Sequence, residues 1–301
     1  MPDSLVNASP RTLGSLGAVG PLAYGCWRFT TSSVEDATRL IETALDSGLN
    51  LIDTADVYGF DWGGSGFGAN EELLGRVLSA TPSLRNRMVL ASKGGIMPPT
   101  PYDSSPSGLT AACEASLRRL AVDTIDLYQI HRADLLAHPA DVAATLTALR
   151  EAGKIREVGL SNHTVAQHEA LAAHLDFPII TTQPEFSVAN TGPLRDGTFD
   201  LCLRDGIVPL TWSPLAGGRI MTGEGLAAEL LTLLNELAER ESVDHAAIAY
   251  AFVLAFPAAP VAILGTQNPA RIVDASAALT VQLDRADVYA LIQASEGVAL
   301  P

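Results

Sequence analysis

Lysine is almost missing from this chain. Of 301 residues only Lys93 and Lys154 carry an ammonium, and every other fixed cation is arginine. Cysteine is scarce too: Cys26, Cys113 and Cys202 are an odd number, far apart, with no CxxC pair. That pattern argues against a disulfide framework and fits reduced thiols in a cytoplasm. Positive charge is short as a whole, with 19 Lys+Arg against 34 Asp+Glu and a formal net charge of -15. A nucleic-acid binder normally carries a basic patch, and an anionic membrane attracts basic segments, so neither partner is expected. An anionic cofactor stays compatible only where a few arginines and backbone N–H groups gather locally.

Leader, membrane and nucleotide-loop signals are missing as well. The opening MPDSLVNASPRTLG has no basic segment followed by an apolar one, so no signal peptide is expected there. Residues 246–265 carry no charge, but Pro257 and Pro260 divide them into pieces shorter than the roughly 20 residues a span requires, so they read as buried core. GGSGFG (63–68) fails the G-x-G-x-x-G spacing, and neither a P-loop nor a G-x-S-x-G elbow occurs. The glycine run reads instead as a flexible loop at a substrate mouth. His163, His168 and His174 are spaced five and six apart, which puts them on different sides of one helix rather than around a metal.

What is present is a repeated alternation of short apolar runs and longer stretches of helical period. The strand-like runs are 21–27, 49–55, 88–93, 124–131, 155–162, 178–183, 207–213 and 261–265. Between them lie amphipathic segments such as SVEDATRLIETALDSG, with Ser33 as N-cap and Gly48 as stop. Eight strand–helix units are the number that closes a (β/α)8 barrel. The expected fold is therefore α/β, a single domain over 1–301. Residues before Pro21 should form a β-hairpin cap at the barrel bottom, and DRADVYALIQAS an extra C-terminal helix.

In such a barrel, chemistry sits where the strands end. The second run ends in Asp53, with Tyr58 five residues on; the third ends in Lys93 and the fourth in His131. Each alone has an ordinary structural explanation, as a turn aspartate, a rim tyrosine or a satisfied histidine. Four at one face form a candidate catalytic group. A phenol near its free pKa of about 10 is a poor acid at neutral pH, and an adjacent ammonium lowers that value. Lys93 is expected to tune Tyr58 in this way, Asp53 to hold Lys93, and His131 to hydrogen-bond a carbonyl or relay a proton.

These residues stand inside LIDTADVYG, VLASKGG and LYQIHR, and with GKIREVGLSN and WSPLAGG the chain resembles the aldo-keto reductases. The QPEFSVANTGPLRDGTFD stretch is most similar to the superfamily's bacterial predicted oxidoreductases. The resemblance implies an NADP(H)-dependent enzyme moving hydride between nicotinamide and an aldehyde, ketone or sugar carbonyl, with Asp53, Tyr58, Lys93 and His131 as the tetrad. It implies a nicotinamide site at Ser161, Asn162 and Gln183, with Trp212 where the family usually stacks a tyrosine. Ser213, Pro214, Leu215 and Gly217 match the pyrophosphate loop, and Gly265, Thr266, Arg271 and Asp274 the adenosine-phosphate end. Arg271 is the candidate reader of a 2′-phosphate. Gly265 replaces a common lysine and Ala275 a common asparagine, so NADP(H) is favoured over NAD(H) on fewer contacts than usual. Trp27 and Trp62 are the expected substrate-mouth residues. A cofactor-holding regulatory or redox-sensing subunit with little turnover is the alternative, and a Schiff-base aldolase or isomerase using Lys93 a further one.

Overall fold

A computed structural model describes residues 4–31, 33–60 and 63–300. Eight parallel strands close a barrel in sequence order: β1 (Leu22–Gly25), β2 (Leu51–Asp53), β3 (Val89–Gly94), β4 (Ile125–Ile130), β5 (Ile155–Ser161), β6 (Ile179–Gln183), β7 (Val208–Thr211) and β8 (Val261–Leu264), with β8 returning to β1. All eight strand-like runs of the sequence are barrel staves. Helices alternate with them, among them α1 (Val34–Asp46), α2 (Ala69–Ala80) and α3 (Pro106–Leu120). Ser33 caps α1 by accepting the Asp36 N–H, and Gly48 takes φ +82° just past its end.

The barrel floor answers to the N-terminal hairpin, Arg11–Thr12 paired with Ala18–Val19. Leu13 and Val19 join Leu51, Val89, Ala91, Leu127, Leu210 and Val261 in one apolar cluster that fills the interior. The charge-free stretch divides as its prolines require, into helix His245–Leu254 and strand β8. Among the described residues no helix is long and apolar enough to cross a membrane. The C-terminal helix, Arg285–Glu296, opens with a capping box at Asp284 and lies against Ala228–Glu241.

Alternation along the staves decides what tops this interior. Leu51 on β2, Val89 and Ala91 on β3, and Leu127 on β4 belong to the apolar filling. Two residues further on, the same face carries Asp53, Lys93 and Gln129, with His131 next on β4's extension. The catalytic candidates therefore form the last layer of the core. Residues of opposite parity, Ser92 and Tyr128, face the helices instead.

Those helices approach closely. A Cβ built on Gly75 of α2 would lie 2.0 Å from the Arg119 carbonyl of α3. Backbone cannot move aside cheaply, so Gly75→Ala is expected to destabilise by about 1–3 kcal/mol, read as a lower denaturant midpoint at unchanged m-value.

Candidate active site

Lys93 is fully buried, and its ammonium has three N–H donors and three acceptors. It donates to Asp53 Oδ2 at 2.6 Å, to the Thr54 carbonyl at 2.9 Å and to Tyr58 Oη at 3.1 Å. That saturation explains the rare cation: a guanidinium's planar fork of five N–H groups has no place in a slot with three convergent oxygens. The other Asp53 oxygen accepts from Gln129 Nε2 and Gln183 Nε2, both at 3.0 Å. A buried carboxylate with an ammonium and two amides is well compensated. Burial opposes the charge on Lys93, yet Asp53 and Tyr58 together hold its pKa above the ordinary lysine value.

Tyr58 arrives on a turn rather than a strand. Thr54 N–H donates to the Ala91 carbonyl at 2.9 Å, Asp56 N–H to the Lys93 carbonyl at 3.0 Å, and Tyr58 N–H to the Ala55 carbonyl at 3.2 Å. The chain after β2 is thus hung from the edge of β3, and the phenol swings back over Lys93, whose Nζ lies 4.8 Å from the ring centre. The His131 ring meets Tyr58 edge-on, with centroids 5.7 Å apart and planes at 78°.

The electrostatics correct one expectation. Lys93 does pull the Tyr58 phenol toward a lower pKa, but burial outweighs it, with Asp53 adding to the rise, and the phenol stays above its ordinary value. Its tuning is a partial offset of burial, not a net lowering. His131 moves the other way. Burial, then the charges of Lys93 and Arg132, hold its pKa well below the usual imidazole range, so it is neutral at pH 7. Its Nδ1 is buried with no hydrogen-bond partner among the described residues.

On the opposite wall, β5 and β6 carry the expected amides. Ser161 Oγ donates to the Gln183 carbonyl at 3.2 Å, and Asn162 Nδ2 donates to Ser161 Oγ at 2.8 Å. Trp212 is half-buried, and its indole N–H donates to Asn162 Oδ1 at 3.0 Å, so the indole is tied into this wall. Three non-glycine residues here have left-handed backbone, Asn162 (φ 55°), Ser213 (φ 53°) and Ala216 (φ 50°), followed by Gly217 (φ 72°) and Gly218 (φ 105°). Such conformations concentrate where a loop is shaped for a ligand. A Cβ on Gly217 or Gly265 would meet nothing within 4 Å, so both border open space, a candidate cradle for a ligand. Pro214 is buried and Leu215 packs on the core, so both offer the cradle backbone rather than side chain.

Two of the scarce cations reach that loop. Arg28 donates to the Gly217 carbonyl at 3.1 Å and Arg219 Nε to the Ala216 carbonyl at 3.1 Å. Arg271 is exposed on the helix Pro269–Asp274, and in the loop before it Thr266 Oγ1 accepts the Asn268 N–H at 3.1 Å. Asp274 closes the same helix. The loop before it is tied to the one after β1 by Gln267 and Thr30. Trp27 is half-buried in that loop, where Asn70 Nδ2 holds the Cys26 and Trp27 carbonyls at 2.7 and 3.1 Å. Trp62 lies outside the described residues. Within the described part of the glycine run, Gly64 lies against Gly59 and Gly66 N–H donates to the Gly59 carbonyl at 3.1 Å, while Gly63 and Ser65 are exposed. His163, His168 and His174 go separate ways, His163 to the Ser161 carbonyl at 2.9 Å, His168 into the core and His174 against the His138 ring.

Two residues escaped the sequence reading. Gln129 shares the inward face with Lys93 and His131, and the period of two along TIDLYQIH carried that signal. Arg132 follows His131, is half-buried, and has no ion-pair or hydrogen-bond partner among the described residues. Its charge lowers the proton affinity of both His131, just past β4, and His163, just past β5. A half-buried arginine with no partner among the described residues has no sequence signature beyond its position after a strand-end histidine.

Comparison with known proteins agrees with this architecture. The profile of the Aldo/keto reductase family matches residues 21–296. A 6-dehydroglucose reductase of Novosphingobium aromaticivorans is 45% identical over 97% of both chains. A protein of the same description from Agrobacterium fabrum is 32% identical, over 88% of this chain and 90% of its own. The structure of a glycerol dehydrogenase from Gluconobacter oxydans superposes with a TM-score of 0.83 at 25% identity, over 98% of both chains.

Proposed function

Because the chain belongs to the aldo/keto reductase family, we propose that it reduces a sugar aldehyde with NADPH, using Tyr58 as general acid. The observation that carries the proposal is the Asp53–Lys93–Tyr58 chain of contacts, 2.6 and 3.1 Å long, closing the top of the barrel beside neutral His131. The cradle at Ser213–Gly217 and Gly265, the Ser161, Asn162 and Gln183 amides and hydroxyl, and the Trp212 indole would hold the dinucleotide. Arg271 would take the 2′-phosphate, with Arg28 and Arg219 nearby for the pyrophosphate. NADPH bound there would supply a hydride to the carbonyl carbon.

This chain's own residues then do the rest. Tyr58 Oη hydrogen-bonds the carbonyl oxygen and gives it a proton as negative charge develops there. Lys93, held charged by Asp53, stabilises the phenolate left behind. His131, being neutral, can donate a second hydrogen bond to the same oxygen without competing for the proton. Gln129 and Gln183 keep the Asp53 carboxylate aimed at Lys93.

The substrate reading draws on two supports. The relatives at 45% and 32% identity both bear the description 6-dehydroglucose reductase. Arg132 supplies the unused donors that a polyhydroxylated substrate needs and a simple aldehyde does not. Hydrogen bonds from a charged group contribute about 1.5–3 kcal/mol, so Arg132→Met should raise KM for a hexose 6-aldehyde at least tenfold. Its effect on an unsubstituted aromatic aldehyde should be small, and equal losses on both would remove Arg132 from the substrate site.

The deciding experiment is loss of NADPH absorbance with 6-dehydroglucose, an aromatic aldehyde and a dicarbonyl, repeated with NADH. Fastest turnover of the sugar aldehyde with NADPH is the expected result. NADPH binding with no turnover on any of them would overturn the enzyme reading in favour of a cofactor-holding subunit.

A further inference from the structure

Behind Lys93, between the barrel wall and helices α2 and α3, lies a second buried polar group. Glu71 of α2 is fully buried and pairs with Arg119 of α3, its Oε2 lying 2.8 Å from Nε, and it also accepts from Ser92 Oγ on β3. Asp56, on the turn that carries Tyr58, projects into the same region. Its side chain is fully buried, and neither carboxyl oxygen has a hydrogen-bond partner among the described residues. The groups facing it are Glu71 from α2, Arg119 from α3, Lys93 from β3 and the nearby Val57 amide. Tyr128 from β4 feels its charge as well, and its hydroxyl, over Gly94, is likewise buried and unpartnered.

Counting charges in this interior leaves one acid over. Asp53 is taken by Lys93 and Glu71 by Arg119. Among the described residues no unpaired cation is left to Asp56, and an isolated buried carboxylate is far costlier than a neutral acid. We propose that Asp56 is kept as a neutral carboxylic acid, a positioning residue whose neutrality lets the Tyr58 turn stay packed against β3. Burial first, then the Glu71 carboxylate, push its proton affinity up, while Arg119, the Val57 amide and Lys93 oppose them. Ionisation would set a second negative charge against Glu71, on the residue whose own N–H anchors the loop to the Lys93 carbonyl, and draw Tyr58 away from Lys93. The folded state binds this proton more tightly than the unfolded chain does. Its contribution to stability and geometry is therefore complete in acid and is lost as pH rises through the folded-state value.

The consequence for activity rests on the Tyr58 reading, but the protonation does not, so the two are tested separately. In infrared spectra of the full chain at neutral pH, wild type should show a protonated-carboxyl stretch that Asp56→Asn lacks. Asn mimics the neutral acid and cannot ionise, so the variant should keep near-wild-type kcat at pH 7. It should also hold activity and melting temperature further into the alkaline range, with the alkaline limb of kcat displaced upward relative to wild type. NADPH affinity should be the same in both. No carboxyl band in wild type, or identical alkaline limbs for kcat and melting temperature, would overturn the proposal. Should the Asn variant fail to fold, Asp56→Ser gives the same band comparison, and a band that persists in it would equally overturn the assignment. Turnover surviving in Tyr58→Phe would remove the Tyr58 reading while leaving the band to decide Asp56.

Discussion

Tyr58→Phe is expected to reduce kcat by about two to four orders of magnitude, the usual contribution of a positioned general acid, and to leave NADPH affinity near wild type. The geometry makes this a clean substitution. Tyr58 is half-buried at the rim, and among the described residues its hydroxyl has one partner, Lys93 Nζ at 3.1 Å. Removing that oxygen leaves Lys93 bonded to Asp53 and the Thr54 carbonyl, so the buried charge stays compensated. The ring keeps its edge contact with His131. Thermal unfolding should therefore shift little, and the loss should fall on kcat, because the missing interaction forms fully only as the carbonyl oxygen gains charge. A variant with near-wild-type kcat would assign proton donation elsewhere, and His131→Gln would then be the variant to compare.

Lys93→Met should cost activity and stability together. The side chain it replaces is fully buried among three acceptors, and its loss strands Asp53 with only the two glutamine amides. Breaking a buried ion pair from one side costs about 3–5 kcal/mol, a large share of the stability of an ordinary domain. The measurement is the denaturant midpoint beside kcat. Asp53→Asn with Lys93→Met removes both charges and should recover a substantial part of the lost stability but none of the activity. If the double variant is no more stable than Lys93→Met alone, the stranded carboxylate is not the cause. Lys93→Arg should resemble Lys93→Met rather than wild type, since a fork of five donors meets a slot built for three.

The wild-type pH response has a sign as well. The His131 pKa is depressed in the fold, so the stability it contributes is present above the unfolded value of about 6.5 and declines as pH falls below it. Asp56 acts at the other end, its contribution declining as pH rises.

Much of this was legible in the sequence because it is local. Strand and helix periods, Ser33 before α1, Gly48 after it and the prolines that divide residues 246–265 each act over a turn or a strand. Eight repeats of one period restrict the fold to a closed barrel, and the parity of residues along a stave already sends Asp53, Lys93 and His131 to one end. Only the tertiary structure decided how strongly those residues act on one another. The net direction of the Tyr58 shift is a balance between burial and a charge 3.1 Å away, and neither magnitude is written in residue order. Gln129 and Gln183 meet at Asp53 from positions 76 and 130 residues distant, and Asp56 is the odd acid only once Arg119 has been seen to take Glu71. Spacing along the chain is set by backbone geometry and can be read from sequence. Desolvation and pairing depend on which side chains three-dimensional closure brings within a few ångströms, and that is fixed only when the barrel and its helices have packed.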